Sequence, residues 1–324
     1  MESVSKLILI GAVLTVFSSP AAAIEGAFGR TVPGLWVKPR AGVVGPKPGF
    51  SFTFMPIGYR GSLSAIDGSR KTGEPVAVAI AGVLVPRIDV AGNSNYLVPQ
   101  YVYKTNSEKV SFSSSCAIRP TWAAVTASYR PGDPGKRFTD LGLADFIFAP
   151  LTVGIHFSPT NNLAISTLIF APTAPFTPAN LSDLGMGAWT VMPHIAHTWS
   201  WPKQGLELDN SVGFDIYTRN PSTNYRSGTM FHWDGMLLKY FAQNRFAVGG
   251  IAGNLTQITD DTGGLADRLH GFRGTGWGAG PTALYVARLE NPSVIVQFRA
   301  VPEFAVTNLT QGITLLLGLT FKWE

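Results

Sequence analysis

Charge is scarce in this sequence: of 324 residues only 14% are Asp, Glu, Lys or Arg, against about a quarter in an average globular chain. Because 45% of the residues are hydrophobic, the shortage does not signal disorder, which needs low hydrophobicity together with high net charge. Cysteine is nearly missing. Cys116 stands alone, which excludes an intrachain disulfide and any metal site built from cysteines. The 25 basic residues leave a formal net charge of +5, yet they form no run of the kind that holds nucleic acid. Neither a phosphate-cradling glycine loop nor a zinc-ligand spacing occurs, so no cofactor and no metal are expected. Long helices are disfavoured too, since 35 Gly and 23 Pro are spread through the chain and both weaken helix interiors.

Apolar runs long enough to cross a bilayer as a helix are also lacking. Leu7 to Phe17 is uncharged and apolar but falls well short of the roughly 20 residues required. With Lys6 before it and Ser18-Ser19-Pro20-Ala21-Ala22-Ala23 after it, residues 1–23 read as a signal peptide cleaved before Ile24. Phe146 to Ser182 carries no charge, but Pro150, Pro159 and Pro172 interrupt it and Ser158 to Asn162 has turn composition. An exported, charge-poor chain without helical spans has one remaining way to live in a bilayer, a closed β-barrel.

Alternation supports that architecture. Ile313, Leu315, Leu317, Leu319, Phe321 and Trp323 form one apolar face, with Thr314, Leu316, Gly318, Thr320 and Lys322 between them, which is the period of a strand. Leu206, Leu208, Val212, Phe214 and Ile216 alternate with a polar set containing Glu207, Asp209, Ser211 and Asp215. Strand-like segments fall at about 50–60, 84–103, 109–130, 143–157, 163–176, 188–201, 206–219, 229–241, 245–259, 277–289, 293–306 and 312–323. The connections at 104–108, 158–162, 202–205, 242–244 and 290–292 are short; those at 61–83, 131–142, 177–187, 220–228 and 260–276 are long. Short turns at one end and long loops at the other are the plan of an outer-membrane barrel. The expected fold is therefore all-β, a closed antiparallel transmembrane barrel of about twelve strands over residues 50–324, with short periplasmic turns and longer extracellular loops.

Two sets of side chains are then placed by period. Glu207, Asp209, Asp215, Arg219, His232, Asp234, Gln297, Arg299 and Glu303 are assigned to the lumen, where mixed charges either tune solute passage or pair to hold the barrel's shape. Trp199, Trp201, Phe321 and Trp323 are assigned to an interface girdle beside the short turns. The Gly- and Pro-rich residues 24–49, including Trp36, Lys38 and Arg40, either fold inward as a plug or hang in the periplasm. Strand prolines remove ladder bonds, and Pro172, Pro193, Pro281 and Pro302 are expected at bulges towards the long-loop ends.

Catalysis finds little support. His194 and His197 fall on opposite faces of a strand. His232 and Asp234 share a face, but no serine in a nucleophile elbow accompanies them. Asp260, Asp261 and Asp267 lack the spacing of a calcium loop.

The blocks Gly213 to Gly228 (GFDIYTRNPSTNYRSG), Phe231-His232-Trp233-Asp234 and Gln257 to Gly263 (QITDDTG) resemble the phenol meta-pathway degradation family of outer-membrane proteins, as do Glu25-Gly26, Pro33-Gly34, Pro48-Gly49-Phe50 and Ala144-Asp145-Phe146. The resemblance implies a barrel in the outer membrane of a Gram-negative bacterium, with lipid around it and passage of small hydrophobic or aromatic compounds through it. Periplasmic chaperones and the barrel-assembly machinery are the partners expected during insertion. The alternatives are a non-transporting surface barrel that binds a partner through its long loops, and an outer-membrane hydrolase.

Overall fold

The computed structural model describes residues 29–45, 47–64, 78–80, 83–85, 87–128, 134–178, 180–263, 273–287 and 291–323. The expected signal peptide, Glu25-Gly26 and Asp267 lie outside these residues. Every regular element is a strand: β1 (Gly49–Ser64), β2 (Val78–Ile80), β3 (Val83–Val85), β4 (Arg87–Val102), β5 (Val110–Ala117), β6 (Pro120–Ser128), β7 (Lys136–Leu143), β8 (Phe146–Ser158), β9 (Asn161–Ala171), β10 (Thr190–Trp201), β11 (Leu206–Tyr217), β12 (Met230–Phe241), β13 (Phe246–Gln257), β14 (Thr275–Ala287), β15 (Ser293–Thr307) and β16 (Gln311–Trp323).

Twelve of these close into one antiparallel ring in the order β1-β4-β5-β8-β9-β10-β11-β12-β13-β14-β15-β16, and β16 pairs back onto β1. Closure gives each of these twelve strands two neighbours, as a strand structure in lipid requires. β6 and β7 extend the hairpin of β5 and β8; β6 pairs with residues 87–94 of β4 and β7 pairs with β6, so the wall stands taller on that side. Residues 131–142, read from sequence as a loop, thus contain a strand, β7. Its exposed Leu141 and Leu143 alternate with Asp140 and Gly142 too briefly to stand out.

Alternation sorts the side chains as the period demands. Ile313, Leu315, Leu317, Phe298, Leu237 and Ile195 face outward and are exposed, whereas Leu316, Val301, Leu238 and Met192 face inward and are buried. Aromatic rings sit on the outer surface near both ends. Trp199 stacks on Trp201 at 5.5 Å, and Trp323 meets Phe321 and Phe50, all beside short turns. Phe214 with Phe231, and Trp233 with Trp277, lie towards the long loops. Phe231 and Phe241 are ten positions apart on β12. That is about 34 Å of strand at ~3.4 Å per residue, or roughly 24 Å along the axis at a tilt of about 45°, the height of an outer-membrane apolar band.

The prolines do not sit where the sequence reading put them. Pro172 lies beyond β9, and Pro193, Pro281 and Pro302 occupy strands whose register is unshifted across them. The cause is local. Each proline lacks an N–H towards one neighbour only, and the ladder skips there: pairing between β14 and β15 jumps from Gly278–Glu303 to Thr282–Arg299, spanning both Pro281 and Pro302. Only Pro150 coincides with shifts of register, where β8 meets β9 and β5.

Candidate functional site

The interior of the ring is occupied by the chain's own residues 30–44. This segment descends along the inner faces of β10, β11 and β12 from the long-loop end towards the short turns. At its start, Arg30 Nη1 contacts Asp145 Oδ2 at 2.7 Å, and Arg30 also donates to Thr190 Oγ1 and Ala188 O. Burial pulls the Arg30 guanidinium below its ordinary pKa, against the pull of Asp145. Further along, Thr31 Oγ1 donates to Asp215 Oδ2 at 2.9 Å. The Gly34 and Trp36 amides donate to the two oxygens of Asp234 at 2.7 and 2.8 Å. Arg40 N donates to Glu207 Oε1, Ala41 N to Asp209 Oδ1, and Gly42 N to Thr198 Oγ1.

The close approach depends on glycine at two positions. A Cβ on Gly42 would strike Asn162 O and come within 2.7 Å of Thr198 N; one on Gly253 would strike Asp234 Oδ1 and Gly34 N. Apolar contacts complete the docking: Leu35 joins Ile57, Tyr96 and Phe170, while Val37, Ala41 and Val44 pack with Ala196, Met236 and Ile251.

Eight of the nine side chains assigned to the lumen from sequence point into the ring, and each is no more than 9% exposed: Glu207, Asp209, Asp215, His232, Asp234, Gln297, Arg299 and Glu303. Three of them, Gln297, Arg299 and Glu303, line interior cavities, and most of the set holds other parts of the chain. Glu207, Asp209, Asp215 and Asp234 receive the inserted segment, and Arg299 Nη1 donates to Gly34 O at 2.8 Å, so Asp234 and Arg299 hold one glycine between them. Glu303 accepts from Tyr59 Oη and Gly312 N. Gln297 Nε2 reaches Met236 Sδ at 4.0 Å. His232 lies between Trp36 and His194, and both its ring nitrogens are buried with no hydrogen-bond partner among the described residues; Asp215 Oδ1 is 3.9 Å away.

Arg219 is the exception. It lies beyond β11 in an exposed loop, donating to Asn224 and to Thr262 Oγ1. The alternation that placed it ends at Tyr217 because the strand does. Asp261, in the facing loop, accepts from Tyr225 Oη, Gly228 N and Gln257 Nε2, and burial pushes its carboxyl up. Asp260 pairs with Arg273 at 2.6 Å. Asp260 and Asp261, two of the three carboxylates considered for calcium, are therefore committed elsewhere, and no metal-ligating cluster occurs among the described residues.

Two cavities flank the segment among the described residues. One, of about 230 Å³, lies towards the long loops and is lined by Val32, Pro33, Ile57, Leu255 and Val306, with Arg30 and Glu303 as its charged groups. The other, of about 600 Å³, reaches the short-turn rim at Lys47, Gly49 and Trp323. Leu35 and Tyr96 line both, and the wall between the cavities is apolar there.

The structure also joins a set that spacing concealed. Ser111 Oγ lies 2.8 Å from His156 Nε2, and His156 Nδ1 lies 2.7 Å from Asn162 Oδ1. This is the order of nucleophile, base and orienting group. Ser111, however, is 1% exposed and lines neither cavity, so no acyl group has room beside it. No local sequence signal marks the trio, because the ring brings together positions 45 residues apart.

A family model described as "Putative MetA-pathway of phenol degradation" matches residues 70–318. Among solved structures, an outer membrane channel from Pseudomonas putida F1 matches with a TM-score of 0.67 at 13% identity, covering 91% of this chain and all of that one (100%). The β domain of a Bordetella autotransporter matches at 0.49 and 10% identity, covering 86% and 100%. The CymD monoaromatic hydrocarbon channel matches at 0.39 and 6% identity, covering 95% and 98%. No curated protein matches the chain.

Proposed function

The chain belongs to the phenol-degradation family whose model it matches, and from that premise we propose that it is an outer-membrane channel for small hydrophobic or aromatic compounds, plugged by its own residues 30–44. The observation that carries this reading is the pair of cavities beside an inserted peptide in a closed twelve-strand ring, with Leu35 and Tyr96 of one apolar cluster lining both. A ring built for shape alone would fill its interior with side chains, as the smallest barrels do. Here the interior holds a separable peptide and space on either side of it.

Several features support this assignment. The outward face is apolar between two aromatic belts, as a bilayer requires, and Trp199, Trp201, Phe321 and Trp323 belong to the belt beside the short turns. The inner carboxylates of β11 and β12 act as docking points for the plug, whose amides they accept. Passage then requires the Leu35–Tyr96 contact to part, through a shift of the plug.

The test is uptake. Cells producing the protein are expected to accumulate labelled aromatic solutes several-fold faster than cells lacking it. The purified chain in planar bilayers is expected to show brief openings, and a Leu35→Ala variant longer ones. Equal uptake in both strains, with silent bilayers for both proteins, would leave a structural or partner-binding barrel.

A further inference from the structure

We propose that the long-loop cavity is a binding site for a neutral one-ring solute that carries a hydroxyl group, recognised by Thr314 and Glu303; this rests on the channel reading above. The cavity is mostly apolar, yet one polar atom of its wall is left over. Thr314 lines the cavity and is 3% exposed, and its Oγ1 has no hydrogen-bond partner among the described residues. A buried hydroxyl without a partner is costly, so a partner is expected where there is room for one. The cavity supplies the room.

The register of the barrel brings a second group to the same place. Thr314 on β16 lies opposite Val301 on β15, and Glu303 is the next residue of β15 on that inner face. Diagonal neighbours of this kind stand about 7–8 Å apart, close enough for one small group to reach both side chains. Glu303 lines the cavity too. Its Oε2 accepts from Tyr59 Oη at 3.0 Å and from Gly312 N at 2.8 Å, whereas its Oε1 accepts from no described residue. Other polar side chains around the cavity are already engaged, Arg30 with Asp145, Thr31 with Asp215, and Ser94 with Thr121. A solute hydroxyl would donate to Glu303 Oε1 and accept from Thr314 Oγ1, completing both.

The rest of the wall suits a ring. Val32, Pro33, Leu35, Ile57, Leu255 and Val306 supply apolar surface. The volume of about 230 Å³ exceeds the roughly 150 Å³ of an apolar protein cavity that takes up benzene, so one ring fits together with its substituent. Charge selects the neutral form. A carboxylate would face Glu303, while the Arg30 guanidinium is held by Asp145 and donates to Thr190 and Ala188. An ammonium brings three donors to one open carboxylate oxygen in an apolar wall. A bare hydrocarbon would leave Thr314 and Glu303 as they are. One hydroxyl, with a proton to give and a lone pair to accept with, matches the pair.

Four labelled probes that share one ring separate the possibilities: benzyl alcohol, toluene, benzylammonium and benzoate, bound by equilibrium dialysis to the full chain in detergent, with protein-free micelles as the blank. Benzyl alcohol is expected to bind about tenfold more tightly than toluene, and more tightly than either ion. Thr314→Val keeps the shape of the side chain and removes the hydroxyl. It should weaken benzyl alcohol several-fold, leave toluene unchanged and cost the free protein no stability, whereas Thr314→Ser should keep the preference. Should Thr314→Val fail the heat-modifiable migration of a folded barrel, Glu303→Gln is expected to weaken benzyl alcohol several-fold while leaving toluene unchanged. Toluene or either ion binding as tightly as benzyl alcohol, no binding of any probe, or a preference untouched by the folded variant overturns the inference, and the Thr314 hydroxyl then serves at most a bound water. Binding in the expected order, with no uptake by cells, would instead sink the channel reading alone.

Discussion

Single side chains in this barrel differ in what they are asked to hold. Asp234 accepts two backbone amides and has Arg299 close by, on the far side of Gly34. Hydrogen bonds to a charged group contribute about 1.5–3 kcal/mol each, so Asp234→Ala should free the plug at its midpoint. The expected result is a several-fold rise in the fraction of time the pore is open in planar bilayers, with Asp234→Asn closer to the parent. His232 is the opposite case. Its imidazole is buried between two rings with neither nitrogen paired, and an unsatisfied buried polar group costs roughly 1–3 kcal/mol. His232→Phe is therefore expected to be neutral or stabilising in urea-unfolding titrations of the lipid-embedded protein; a large loss would mean that the imidazole has a partner it needs.

Strands and loops carry their own consequences. Phe298 is 46% exposed at mid-strand on the outer face of β15, where lipid is the expected neighbour. An arginine at such a depth costs about 2–4 kcal/mol in a transmembrane barrel. Phe298→Arg should lower the unfolding free energy in vesicles by that order, whereas a solvent-facing strand would register almost nothing. The loops after β11 and β13 are tied through Asp261, whose folded-state pKa is raised by burial. A carboxyl raised above its unfolded value contributes stability at pH below the ordinary carboxylate range and loses it as pH climbs through the raised value. The protease sensitivity of this loop pair is thus expected to increase as pH rises above the ordinary carboxylate range of about 4, and Asp261→Asn should flatten that dependence. These two loops hold the larger parts of the two longest blocks that resemble the family. Much of that signal therefore encodes a loop clasp (Arg219, Asn224, Tyr225, Asp261, Thr262) together with the docking carboxylates Asp215 and Asp234.

For the molecule as a whole, the ring and the peptide inside it are separable in principle, because each of the twelve ring strands has both neighbours without the plug. A chain lacking residues 29–45 is expected to keep a strand-rich circular dichroism spectrum and heat-modifiable migration. It should also show a larger, steadier conductance. Collapse of the strand signal would instead make residues 29–45 part of the barrel's core, since Leu35, Val37, Ala41 and Val44 fill its interior.

Strand number and the outward apolar face were legible from sequence alone. A period of two survives any tertiary arrangement, and the cost of unpaired backbone in lipid permits little besides a closed ring. The same period placed eight of the nine side chains it assigned to the interior inside the ring, and failed at Arg219 because alternation cannot show where a strand stops. What those side chains do was decided elsewhere. Whether Asp234 faces water or the amides of Gly34 and Trp36 depends on a contact between positions 200 and 198 residues apart, and no local pattern encodes a contact of that reach. The Ser111–His156–Asn162 chain needs β5, β8 and β9 side by side, and the apolar contact at Leu35 and Tyr96 needs the inserted peptide. Both exist only once the ring has closed.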